Sequence, residues 1–129
     1  MPATAARKPY LAGLAIMLAA AFLQLWMNLA VGIVGDTDNP QNQGFFGVVV
    51  TAAACAFVAR GKADGMARAM LATAGVQALL AAMVATAPIT ARDPNGPAGV
   101  LMLSSVFCAL WLASAALFHR GARAEVEAR

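Results

Sequence analysis

Charged side chains are absent from most of this chain. Only 12% of its 129 residues are Asp, Glu, Lys or Arg, and there is a single histidine. Four long runs contain none of these residues: Tyr10–Val34, Gly44–Ala59, Ala69–Ile89 and Ala98–Phe118. Pumps and proton-coupled transporters use ionisable groups inside the membrane, and a membrane haem needs axial ligands there, usually paired histidines. The four runs therefore lack the groups on which those functions depend.

Sequence motifs of catalysis are lacking as well. No dinucleotide-binding glycine motif, phosphate-binding loop, HExxH motif or nucleophile elbow occurs. The two cysteines, Cys55 and Cys108, lie inside apolar runs without the neighbouring His or acidic residues that a zinc site requires. We therefore predict a protein that is not an enzyme and that has no metal or cofactor.

Long apolar runs are what the chain does contain. Three of them are 25, 21 and 21 residues long, enough to cross a hydrocarbon core of about 30 Å at 1.5 Å per residue. The second run has 16 residues, so flanking residues are expected to extend its helix. The first run is too long for the apolar part of a signal peptide and is expected to be retained.

The runs predict an all-α fold, because only helices satisfy their own backbone hydrogen bonds in lipid without closing into a barrel. We expect a polytopic membrane protein, a four-transmembrane-helix bundle in a single domain over residues 1–129. The spans are expected at about residues 10–34, 44–60, 66–89 and 98–118.

Basic residues are distributed unevenly between the two predicted sides of the membrane. The side that contains the loops after the first and third spans has a single basic residue, Arg92, together with Asp36, Asp38 and Asp93. Because cytoplasmic loops carry the excess of Lys and Arg, we expect both termini to be cytoplasmic, in a bacterial inner membrane. The scattered basic residues do not indicate a nucleic-acid partner. Eight of the nine Lys and Arg residues share the predicted cytoplasmic side: Arg7, Lys8, Arg60, Lys62, Arg68, Arg120, Arg123 and Arg129.

An internal repeat is indicated by shifting the chain against itself by 53 residues. We interpret it as two duplicated helical hairpins of like orientation, related by an axis along the membrane normal. The alternative is that alanine-rich hairpins resemble one another without any duplication. When residues 10–59 are compared with residues 63–112, seven identities other than alanine occur: Met17/Met70, Leu18/Leu71, Gln24/Gln77, Val31/Val84, Thr37/Thr90, Asn42/Asn95 and Cys55/Cys108.

Three amide side chains inside the predicted spans form a candidate polar cluster. Gln24 and Asn28 are four residues apart and share a helix face, and Gln77 stands at a depth comparable to Gln24. Such amides seek interhelical hydrogen bonds worth on the order of 0.6–2 kcal/mol. The favoured interpretation is a clamp that joins the two hairpins. The alternative is a path for a polar ligand or an ion.

The predicted outer loops are rich in turn-forming residues, among them Asp36, Asp38, Asn39 and Asp93. The first loop superficially resembles a calcium loop, but the Gly at position six and the Glu at position twelve are absent. We therefore favour a capped turn over a metal site. On the other side, Asp64 is expected to cap the third helix.

The segment LAVGIVGDTDNPQN, residues 29–42, contains the pattern G-x-x-D-N-P-x-N directly after the first span. In this pattern the chain resembles small four-span proteins of GC-rich bacteria, in which the same loop follows the first span. The segments 61–69 and 109–115 are also similar to that group. The resemblance implies a bacterial inner-membrane location and carries no activity or site with it.

Function is expected to rest on helix association, either as a homo-oligomer or as an accessory subunit of a larger membrane complex within the lipid bilayer. Small residues let helices approach closely, but the sequence does not separate internal contacts from contacts between chains. One alternative is an oligomeric small-solute transporter or exporter, although the first span lacks the embedded Glu of small multidrug exporters. A weaker alternative is an enzyme acting on lipids. The pairs with small-xxx-small spacing are Ala52/Ala56, Ala74/Ala78, Ala78/Ala82 and Ser105/Ala109.

Overall fold

A computed structural model describes residues 3–30, 42–86 and 96–127, which form four α-helices and no strand in those ranges. The predicted all-α helical bundle is confirmed. Three of the helices contain stretches long and apolar enough to cross a membrane, and the second has a shorter apolar stretch from Phe46 to Ala59. The helices are α1 (Ala3–Ala30), α2 (Asn42–Ala59), α3 (Ala63–Ala85) and α4 (Gly96–Glu127).

The first and last helices are longer than the apolar runs within them. α1 begins at Ala3 and includes Pro9, although its apolar run starts only at Tyr10. α4 continues to Glu127, so the helix extends well past Phe118, the end of its apolar run. α2, with 18 residues, measures about 27 Å and is the shortest of the four.

A tight turn joins α2 to α3. Arg60 and Gly61 both have positive φ angles, 54° and 76°, a conformation that Gly adopts without strain. A Cβ on Gly65 would lie 2.9 Å from the Cβ of Ala59, so this glycine permits the close approach of the two helices after the turn. The turn thereby makes α2 and α3 an antiparallel hairpin.

The prediction that Asp64 caps α3 is wrong. Lys62 occupies the N-cap position without a side-chain hydrogen bond, and its carbonyl accepts the amide of Met66 at 2.8 Å. Asp64 lies inside the first turn, where its carboxylate accepts the Gly65 amide at 2.9 Å. Its negative charge there still complements the positive end of the helix dipole.

The four helices pack around a ring in the order α1, α2, α3, α4 and back to α1. In the described ranges α4 packs extensively against α3 and α1, whereas α1 and α2 touch least. Near the start of α1, the Tyr10 ring packs edge-on against Phe118 of α4, with centroids 5.1 Å apart. At one end of the bundle α1 and α3 begin and α2 and α4 finish. We call this the terminal end.

The outer surface of the bundle is apolar while several polar side chains are inside. Phe22 and Phe57 are 67% and 83% exposed, whereas Gln24, Gln77 and Ser114 are fully buried. A water-soluble bundle shows the reverse pattern. This distribution suits a protein whose outer surface contacts lipid, where large apolar side chains are not driven inside.

α1 and α4 approach each other closely at Gly13. A Cβ on this residue would lie 3.1 Å from the Ser114 carbonyl oxygen and 3.3 Å from atoms of Leu117 and Phe118. The Ser114 hydroxyl donates to the Gly13 carbonyl at 2.7 Å. A small residue in α1 therefore brings the two backbones within reach of a side chain-to-backbone hydrogen bond.

The two predicted hairpins differ in their packing. Gln24 and Gln77 are equally buried, and Cys55 and Cys108 are both half-buried. In contrast, Trp111 is fully buried, while position 58 at the 53-residue offset is a valine that is 78% exposed. The second hairpin is also packed more tightly than the first. The duplication stays a prediction, with matching burial at some paired positions and unlike packing overall.

Candidate functional site

Gln77 is held in the interior of the bundle by Trp111. The Trp111 Nε1 group of α4 donates to Gln77 Oε1 of α3 at 3.2 Å, and both side chains are fully buried. A buried indole N–H needs an acceptor, and the amide oxygen supplies it. The hydrogen bond joins the two helices of the second hairpin.

The rest of the predicted polar cluster lies on α1. Gln24 is fully buried in the bundle, as Gln77 is. Asn28 lies in α1 four residues further on, and its side chain falls outside the described part of the structure. The outer-loop residues Asp36, Asp38, Asn39 and Asp93 also lie outside the described residues.

Two buried polar atoms add to the polar character of the interior. Within the described ranges, Gln77 Nε2 and Ser104 Oγ have no hydrogen-bond partner. Thr73, also fully buried, instead donates to the Ala69 carbonyl of its own helix at 2.8 Å. In the described ranges the interior thus contains polar atoms that form no hydrogen bond between helices.

Other hydrogen bonds between elements come from residues for which the sequence analysis predicted no such bond. The Tyr10 hydroxyl donates to the Gly61 carbonyl at 2.7 Å and ties α1 to the α2–α3 turn. The Cys108 thiol lies 3.6 Å from the Ala74 carbonyl, within the reach of a weak sulfur hydrogen bond. Both hydrogen bonds could have been predicted from the sequence, because each donor lies in an apolar run and a donor in lipid must find an acceptor within the protein.

An open groove lies between α3 and α4 near the terminal end, with a volume of about 720 Å³. Its floor includes Leu71 of α3 and Leu112 of α4. Both acidic and basic side chains line it near the helix ends. The polar lining residues are Asp64, Arg68, His119, Arg123 and Glu127.

The residues of the small-xxx-small pairs differ in exposure. Ala52 and Ala74 are buried and serve the internal packing of the bundle. Ala78 and Ala82 of α3 are exposed, and so are Ser105 and Ala109 of α4. The exposed pairs are the ones available to a second helix.

Comparison with known proteins gives no relative: no family model, no curated protein and no solved structure matches the chain. Among the residues described, no three His, Cys, Asp or Glu side chains come together as a possible metal site.

Proposed function

We propose that the chain is a non-enzymatic integral protein of the bacterial inner membrane that acts through helix association. It works as a homo-oligomer or as an accessory subunit of a larger complex. Its candidate association surface is the exposed small-residue face of α3, formed by Gly75, Ala78 and Ala82. These residues follow one another at spacings of three and four, so they share one side of the helix.

Gly75 is the observation that carries the proposal. A Cβ added to Gly75 would meet nothing within 4 Å, as on Gly47 of α2, whereas Cβ atoms on Gly13 and Gly65 would lie close to neighbouring helices. Gly75 shares its side of α3 with two further exposed small residues, Ala78 and Ala82. Glycine inside a helix costs about 0.5–1 kcal/mol relative to alanine. Packing within the described part of the chain does not account for that cost at Gly75. A helix of another chain, lying directly against this face, does account for it.

The proposed orientation has both termini in the cytoplasm. All seven Lys and Arg residues in the described ranges are exposed, and they lie toward the terminal end of the bundle. An excess of basic residues on one side is typical of the cytoplasmic side of a membrane protein.

The association proposal is tested by enlarging the face. We expect Ala78→Leu to weaken self-association in lipid vesicles by about tenfold or more, because it separates the helices of two chains. Ala19→Leu, at an exposed position of α1, is the matched control. Association is measured by energy transfer between labelled chains as the protein-to-lipid ratio is varied. Equal association of both variants and the wild type would refute self-association through this face.

The accessory-subunit form of the proposal needs a separate experiment. The protein is recovered from its own membranes in mild detergent, and all retained proteins are identified by mass spectrometry. We expect stoichiometric recovery of the same partner proteins with the wild type and Ala19→Leu, and their loss with Ala78→Leu.

A second candidate function, transport of a small polar solute by an oligomer, is favoured by the buried atoms Gln77 Nε2 and Ser104 Oγ. They have no hydrogen-bond partner in the described ranges and could bind a passing polar group. This function predicts solute flux into liposomes that is lowered by Ser104→Ala. Ser105→Ala is the control, since Ser105 is exposed and donates to the Leu101 carbonyl of its own helix. Flux that is equal in both variants would count against it.

A further inference from the structure

The charged side chains of the α3–α4 groove occur in the same order on both helices. Moving outward along α3 toward the terminal end, Arg68 is followed by Asp64, and along α4 Arg123 is followed by Glu127. In each case the acidic residue is four positions, or about 6 Å of helix rise, closer to the terminal end than the arginine. The groove therefore presents two cations nearer the spanning part of the helices and two carboxylates farther out.

Both guanidinium groups are available to a ligand. Arg68 and Arg123 are exposed, and neither forms an ion pair anywhere in residues 3–30, 42–86 and 96–127. The spacing of four residues would allow each arginine to pair with the carboxylate on its own helix. Neither pair forms, and the arginines and the acidic residues lie separately along the wall of the same groove.

The deeper part of the groove is apolar. Leu71 lies one turn from Arg68 on α3, and Leu112 and Ala116 lie on the facing side of α4. From Arg123 to Leu112 the groove follows α4 for about 16 Å. A ligand that fills it must be apolar at one end and charged at the other.

We propose that this groove binds a phospholipid whose headgroup contains a phosphate and a primary ammonium. The phosphate accepts hydrogen bonds from Arg68 and Arg123, and an acyl chain lies on the floor formed by Leu71 and Leu112. The ammonium, farther from the acyl chains, donates to Asp64 and Glu127. The order of charges along such a lipid is the order in which the groove presents its partners.

The same geometry predicts selectivity among lipids. A primary ammonium has three N–H donors for the two carboxylates, as a lysine side chain does. A quaternary choline group has no N–H to donate, and a glycerol headgroup has no positive charge. The inference needs the membrane location of the bundle but not its self-association, so the two proposals fail separately.

Native mass spectrometry of the full-length protein in detergent tests the inference. Phosphatidylethanolamine, phosphatidylcholine and phosphatidylglycerol with identical acyl chains are added in turn. We expect phosphatidylethanolamine to bind at least about fivefold more tightly than the other two, in line with charge-assisted hydrogen bonds to its ammonium. Glycerophosphoethanolamine, the same headgroup without acyl chains, is expected not to displace the lipid. Displacement by this compound would overturn the role of the apolar floor.

Two double variants test the phosphate-binding and the ammonium-binding parts of the site separately. The double variant Arg68→Gln/Arg123→Gln is expected to lose binding of all three lipids. Its control is Arg60→Gln, which removes an exposed charge in the α2–α3 turn, outside the groove. The double variant Asp64→Asn/Glu127→Gln is expected to keep phospholipid binding but to lose the preference for ethanolamine.

Equal retention of the three lipids by the wild type would overturn the proposal, as would tighter binding of phosphatidylglycerol. Unchanged retention by the arginine double variant would overturn it too. Ala116→Phe provides a second test, which leaves every charge in place and does not depend on the folding of the arginine double variant. It fills the apolar floor, and lipid retention is expected to fall while the helical content measured by circular dichroism is unchanged.

Discussion

Replacing Gln77 with leucine removes the acceptor of the Trp111 indole N–H in the interior of the bundle. The bond is 3.2 Å long and both side chains are fully buried, so no water replaces the lost acceptor. Leaving a buried donor without a partner costs about 1–3 kcal/mol. In membrane proteins the pairwise part of such a bond averages about 0.6 kcal/mol and reaches about 1.7 kcal/mol.

A double-mutant cycle isolates that pairwise part. Gln77→Leu, Trp111→Phe and the double variant are unfolded reversibly in bicelles by steric trapping, which does not depend on tryptophan fluorescence. We expect a coupling energy of about 0.6–1.7 kcal/mol, with the double variant more stable than the sum of the single changes predicts.

The matched control cycle combines Gln77→Leu with Tyr10→Phe. Tyr10 binds the turn before α3 at the Gly61 carbonyl. Gln77 lies 16 residues after Gly61, or about 24 Å farther along the axis of α3. Sites this far apart are expected to be additive within about 0.5 kcal/mol. A Gln77–Trp111 coupling as small as that of the control would refute a stabilising hydrogen bond between α3 and α4.

Further predictions concern the contacts of α1. Gly13→Ala is expected to lower the free energy of unfolding by about 1–3 kcal/mol, because its Cβ would crowd the Ser114 carbonyl. A Cβ on Gly47 would meet nothing within 4 Å, so Gly47→Ala is expected to leave the free energy of unfolding unchanged or to raise it by up to about 1 kcal/mol. Steric trapping compares the two, and equal effects would contradict the close approach of α1 and α4. Ser114→Ala is expected to cost about 0.6–2 kcal/mol in the same assay through loss of its bond to Gly13. Tyr10→Phe is expected to cost about 0.5–1.5 kcal/mol and to speed proteolysis at the α2–α3 turn, which its hydroxyl binds at the Gly61 carbonyl.

The number and type of the helices could be predicted from the sequence because the apolar runs are long and free of charge. Their ends could not. α1 begins seven residues before Tyr10, since Arg7 and Lys8 are good helix formers that remain exposed at the edge of the bundle. The cap of α3 was missed for a related reason. Asp64 is a favoured capping residue, yet the helix begins two residues too early for it to act as the cap, which is Lys62.

The burial of the candidate polar residues could be predicted, but their partners could not. The cost of an amide facing lipid predicts that Gln24 and Gln77 point inward, as observed. The pairing of Gln77 with Trp111 depends on the rotation and crossing of two helices. These helices are apolar on all sides, so the sequence contains no amphipathic stripe that sets this rotation.

Because the helices lack an amphipathic stripe, neither the small-residue face of α3 nor the α3–α4 groove could be predicted from the sequence. Ala74 and Ala78 are four residues apart in similar sequence surroundings, yet one is buried and the other exposed. The groove that contains Arg68 and Arg123 likewise depends on how α3 and α4 pack against each other at the terminal end.

Disulfide cross-linking in native membranes tests the association surface most directly. Single cysteines are introduced by Ala78→Cys on α3 and by Ala19→Cys on α1, each in a chain whose native Cys55 and Cys108 are replaced by alanine. Association through the α3 face predicts that mild oxidation yields a cross-linked dimer of the Ala78→Cys chain, and little or none of the Ala19→Cys chain. Failure of Ala78→Cys to form a dimer, or equal dimer from both positions, would contradict it.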